Sequence, residues 1–102
     1  MKLLIVTSLK EYQQTVADIF EEAQIKVFSV TNTIGHKDDH KMNLMDNWFA
    51  SGDEHFDSIF LFSFTDDTNA AAALGLIKKY NESMESEFPI RAFILPVEQS
   101  SY

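Results

Sequence analysis

The sequence predicts an α+β domain in the order β-α-β-β-α-β. Three observations point to it. Four short apolar or β-branched runs have strand length, and two longer segments repeat apolar residues at helical spacing. The helical segments follow the first and third of those runs. At 102 residues the chain is one domain, 1–102, with no room for a second.

Each element has its own local reason. "KLLIVT" (2–7) is an apolar run of strand length. Ser8 and Glu11 have the spacing of a capping box and predict a helix start. Tyr12, Val16, Ile19, Phe20 and Ala23 then make one apolar helical face. "KVFSVTNTI" (26–34) is rich in β-branched residues and predicts a strand, with Gly35 as its breaker. "SIFLFSF" (58–64) predicts the third strand, with Phe60, Phe62 and Phe64 on one side and Ile59 and Leu61 on the other. "TDDTN" supplies caps for a second helix, whose face carries Ala70, Ala73, Leu74, Ile77 and Met84. "ESMESEF" is a polar exit closed by Pro89. "IRAFILPV" (90–97) is the last strand, and Pro96 marks it as an edge strand or as the end of one.

Right-handed crossovers turn this order into a ferredoxin-like arrangement: a four-stranded antiparallel sheet with both helices on one face. The third strand is apolar on both sides, yet the helices cover only one. Another copy of the chain is the simplest cover for the other face, so the sequence predicts a homo-oligomer.

Composition excludes several functions. Eight Lys+Arg against sixteen Asp+Glu leave a formal charge of -8, which disfavours nucleic-acid binding. There is no cysteine, hence no disulfide, thiolate metal site or cysteine nucleophile. No run approaches 18 apolar residues, and the first ten residues lack the form of a signal peptide. A cytoplasmic domain that is not inserted in a membrane is the expectation. No catalytic constellation stands out, since Ser51, His55 and Asp57 crowd into one loop, and the chain is expected not to be an enzyme.

The long connection at 35–57 is unusual, because hairpin loops normally take two to five residues. It holds all three histidines. His36, His40 and His55, with Asp39 and Glu54, form a candidate set for a divalent transition metal such as Zn or Cu. A hairpin would bring His36 and His55 face to face. The alternative is a solvated acidic loop. Met42 and Met45 suit either soft ligation or packing. Trp48 and Phe49 are candidate anchors for a partner or a neighbouring subunit, and Gly52 suits a turn.

"IKVFSVTNTIGH" resembles the second strand of P-II signalling proteins, a V-T-x-x-x-G pattern leading into a long T-loop, with Val30, Thr31 and Gly35 in its places. "FPIRAFILPVEQSSY" and "NWFASGDEHFDSIFLFS" are similar to the ending and the third-strand start of CutA, a divalent-cation-tolerance family of the same superfamily. The P-II resemblance implies a homotrimer. It also implies that a small effector or divalent metal is sensed at the loop base between subunits, and that a partner such as a membrane transporter receives the signal. It places ligand contacts at Thr31, Gly35 and Arg91. The CutA resemblance implies the alternative of metal binding or tolerance without a dedicated partner; a small enzyme is the minority alternative. The chain departs from ATP-binding P-II proteins at "NESMESEFPI", which is acidic and lacks their glycine-rich loop. ATP and ADP are therefore expected to bind weakly or not at all. The 33–57 segment has no tyrosine, so the uridylylation site of some relatives is absent.

Overall fold

A computed structural model of the chain describes residues 1–36, 55–85 and 88–101. Among the described residues, four strands and two α-helices follow in the expected order: β1 (Lys2–Leu9), α1 (Gln13–Glu22), β2 (Ser29–His36), β3 (His55–Thr65), α2 (Asp67–Met84) and β4 (Arg91–Pro96). The sheet order is β2-β3-β1-β4, with every neighbouring pair antiparallel. No helix among the described residues is long and apolar enough to cross a membrane.

The start of α1 differs from the expected capping box. Ser8 lies inside β1, where it is buried opposite Ile59, and its Oγ donates to the Leu9 carbonyl at 2.9 Å. Two more rungs of the β1–β3 ladder outweigh one cap. The chain enters α1 through a 3₁₀ turn at Lys10–Tyr12, and no side chain caps it. The other end is closed by backbone bonds. Ile25 N–H donates to Phe20 O at 2.8 Å and Gln24 N–H to Glu21 O at 3.1 Å, with Gln24 left-handed at φ 67°. This is a Schellman ending, made without the usual glycine. By contrast, "TDDTN" acts as expected: Asp66 accepts the Asn69 N–H at 2.7 Å and opens α2.

The strand period divides the sheet into two faces. Leu4 and Val6 of β1 and Ile59 and Leu61 of β3 are all fully buried. They share one core with Val16, Ile19, Phe20 and Ala23 of the α1 segment and Ala73 and Ile77 of α2. Phe20 meets Phe28 edge-on, with ring centroids 4.9 Å apart. Met84 does not join this core and is 53% exposed. One turn earlier its row is occupied by Asn81, whose amide ties α2 to the chain before β4. Nδ2 donates to Ile90 O at 2.8 Å, and Oδ1 accepts from Ile90 N–H at 2.9 Å.

Both hairpin strands run further than expected. Gly35 does not break β2: it pairs with Phe56, and the ladder continues to His36 opposite His55. The residues at 35, 36 and 55–57, expected in the loop, are therefore strand. Backbone pairing carries the ribbon past the end of β1, whose last partner on β3 is Ser58.

Candidate functional site

The face opposite the helices is apolar over much of its area. Leu3 and Ile5 of β1, Phe60, Phe62 and Phe64 of β3, and Phe93 and Leu95 of β4 alternate onto it. Phe60, Phe62 and Phe64 form an aromatic ladder, with successive centroids 5.9 and 6.3 Å apart. Phe64 is 57% exposed, and Leu95 and Phe93 are partly so. Isolated exposed apolar residues are ordinary, but a contiguous set on one sheet face marks an interface.

At the end of this face nearest the long connection, the register lines up one row across all four strands. Arg91 of β4 pairs with Thr7 of β1, Thr7 with Phe60 of β3, and Phe60 with Thr31 of β2. The next row holds Leu9, Ser58 and Thr33, and the Thr33 and Ser58 hydroxyls lie 2.7 Å apart. Thr7 and Ser58 are buried, while Thr31 is exposed. Polar groups thus replace the aromatic ladder at this end.

Arg91 is the chemically pointed member of the row. Its Nε is buried and has no hydrogen-bond partner among the described residues. A buried donor left unpaired costs about 1–3 kcal/mol, more when it is charged. Its position is held from behind, because Asn81 fixes both polar groups of the Ile90 peptide. Arg91 and Asn81 also line a cleft of about 230 Å³ along the β4 edge, with Lys78 and Phe93.

The expected ligand residues are in one row but not in one place. Thr31 lies on the β2 edge and Arg91 on the β4 edge, three inter-strand spacings apart, about 14 Å. Gly35 sits further along β2; it is buried, and its φ is not positive. A single chain therefore does not converge these residues. Of the metal candidates, His36 and His55 are brought to opposite positions of the ladder. Asp39, His40 and Glu54 lie outside the described residues, as do Trp48 and Phe49, and also Met42, Met45 and Gly52. Among the described residues there is no group of three or more potential metal ligands.

Sequence reasoning missed Thr7, Ser58 and Asn81. Asn81 left a signal, since it continues the Ala70, Ala73, Ile77 row at helical spacing with a polar residue. Thr7 and Ser58 left none, because hydroxyl residues are common in strands and only the register shows which row they join.

No family model matches the chain, and no curated protein matches it. Solved structures do. A candidate PII-like signalling protein of Thermus thermophilus superimposes with a TM-score of 0.63 at 12% identity, over 91% of this chain and 82% of that one. A nitrogen-regulatory PII-like protein of Thiomonas intermedia, solved with ADP, AMP and bicarbonate bound, gives a TM-score of 0.62 at 11% identity, over 97% of this chain and 93% of that one. Identities this low speak for the fold, and they agree with the strand order and helix placement above: the chain has the ferredoxin-like fold of PII-like signalling proteins.

Proposed function

We propose that the chain is a PII-like regulatory protein that assembles into a homotrimer and senses a small effector between subunits. The observation that carries this reading is the row from Arg91 to Thr31 on the largely apolar face opposite the two described helices. The apolar part of the face calls for a cover, and a second copy of the chain supplies one of matching character. A cyclic assembly that sets the β4 edge of one copy beside the β2 edge of the next joins what one chain keeps about 14 Å apart. Arg91 then meets Thr31 of a neighbour, and its buried Nε gains an acceptor.

The chemistry of Arg91 favours a small anionic ligand, since a guanidinium offers a planar fork of donors to a carboxylate, carbonate or phosphate. The Thiomonas protein was solved with such anions, and they are the ligands to try here. Adenine nucleotides bind weakly in this reading, because the acidic segment before β4 lacks a glycine-rich cradle and the net charge of -8 opposes polyanions. The signal passes to a partner such as a membrane transporter through the long connection, where Trp48 and Phe49 are the anchors. The compartment is the cytoplasm.

Calorimetry with bicarbonate, AMP, ADP and ATP, on the wild-type protein and on Arg91→Ala, tests the site. Binding of at least one anion that is lost in Arg91→Ala is the expected result. Binding that survives the substitution moves the site elsewhere. Micromolar ATP affinity overturns the reading of the acidic segment.

A further inference from the structure

We infer that the anion received at Arg91 is a compact oxyanion carrying two charges, such as hydrogen phosphate or sulfate, and that Lys78 is the residue that selects it. The inference rests on the anion reading above and names its ligand class. It starts from the cleft of about 230 Å³ between the last turns of α2 and the β4 edge. The described residues that line it include two cations, Lys78 and Arg91, and no carboxylate. That is a local reversal of sign in a chain with twice as many acids as bases. Clefts elsewhere on the described residues are acidic or mixed. Asp18 and Glu22 line one, Asp57 shares another with Lys10, and Glu21 shares a third with Lys26. Neither Lys78 nor Arg91 forms an ion pair among the described residues. Two unneutralised cations on one concave surface raise the local concentration of anions.

Position and size narrow the ligand. Lys78 and Asn81 are three apart on α2 and so are neighbours on its surface. Asn81 holds both polar groups of the Ile90 peptide, which fixes the backbone from which Arg91 starts β4. One side chain thus ties the helix carrying Lys78 to the strand carrying Arg91. The buried Arg91 Nε is a donor for which the described residues supply no acceptor. Lys78 is exposed, and water solvates its charge until a ligand arrives. The two cations have different uses. A guanidinium fork offers paired hydrogen bonds to two oxygens, whereas an ammonium is a compact point charge. Arg91 alone balances a monoanion such as bicarbonate, so the second cation acts on a second charge. The cleft is smaller than the roughly 300–1,000 Å³ that enclose drug-sized ligands. It takes a tetrahedral oxyanion whole and leaves a nucleoside outside. The side chains of Ile77, Pro89 and Phe93 complete the wall and offer no hydrogen bond to a ribose.

The test is calorimetry with sodium sulfate, sodium phosphate, sodium bicarbonate and AMP, at constant ionic strength and mildly alkaline pH. The proteins are the wild type, Lys78→Met, Lys78→Arg and Arg91→Ala. The wild type should bind sulfate and phosphate more tightly than bicarbonate or AMP. Coulomb energy is linear in ligand charge, and one unit of charge beside an exposed ammonium is worth roughly fivefold in affinity. Lys78→Met should therefore shrink the preference for sulfate over bicarbonate about fivefold. Lys78→Arg keeps the charge and should preserve the preference. Lys78 is exposed, so the circular-dichroism spectrum and Tm of both variants should match the wild type. Three results overturn the inference while the anion reading stands, provided that Arg91→Ala abolishes binding: bicarbonate as tight as sulfate, a preference unchanged in Lys78→Met, or AMP as tight as phosphate. Anion binding that survives Arg91→Ala, or that is absent from the wild type, overturns both.

Discussion

Two residues carry more of the structure than their types suggest. Gln24 holds a left-handed conformation at φ 67°, which costs a residue with a Cβ roughly 1–2 kcal/mol. Gln24→Gly should therefore stabilise the fold, by about 1 kcal/mol after the greater unfolded-state freedom of glycine is subtracted. Urea denaturation should show a higher midpoint at unchanged m-value. Asn81 has the opposite sensitivity. Asn81→Ala removes both bonds to the Ile90 peptide and leaves its buried N–H and C=O unpaired. A loss of about 2–4 kcal/mol is expected from two hydrogen bonds at the usual cost each. The same substitution should weaken anion binding at Arg91 in whatever fraction stays folded, because it frees the backbone that positions the guanidinium. A stability loss without any change in anion affinity would separate the clamp from the site. Asp66→Ala, which deletes the α2 cap, should cost about 1 kcal/mol and leave binding unchanged.

At the scale of the element, β3 is the informative strand, because its two faces have different fates. Leu61 is fully buried beneath the helices, whereas Phe62 stands on the face opposite the two described helices. Leu61→Asp places an unpaired charge in the core and should unfold the chain, as seen by loss of the circular-dichroism transition. Phe62→Asp places the charge on the proposed contact between copies. It should leave secondary structure intact while separating the assembly into monomers. If both variants unfold, the open face is needed for the fold of each chain. If Phe62→Asp stays assembled, the contact lies on another surface. The strand also shows why its boundaries were misread. Composition ends the apolar run at Ser58, but backbone hydrogen bonding to β2 does not depend on side-chain hydrophobicity, and pairing runs on to His55.

At the scale of the whole molecule, the question is what covers the open face. Light scattering of the protein in dilute solution should give about three times 11.7 kDa. A monodisperse monomer would remove the assembly, and with it the only route by which Thr31 and Arg91 meet. Formation of a trimer should also make the melting temperature rise with protein concentration, since subunit association stabilises only the folded state.

Much of this was legible in the residues themselves. Strand and helix identity follow from hydrophobic period, and the βαββαβ order leaves few topologies once crossovers are right-handed. The double-sided apolar character of "SIFLFSF" already marked a face in need of cover. The facing of His36 and His55 needed only the assumption that the long connection closes a hairpin. Other features depend on comparing distant segments, and no single stretch encodes them. Ser8 reads locally as a cap, yet β3, some fifty residues later, claims it for a ladder. Thr7 and Ser58 are unremarkable as letters, and they join Thr31 at one polar end of a face only when two registers are fixed together. Arg91 is a ligand contact by resemblance alone until its Nε is found buried with no hydrogen-bond partner among the described residues. Local propensity and period set the elements because they act within a few residues of chain. Register, burial and convergence are set by contacts between elements, and these decided where the chemistry lies.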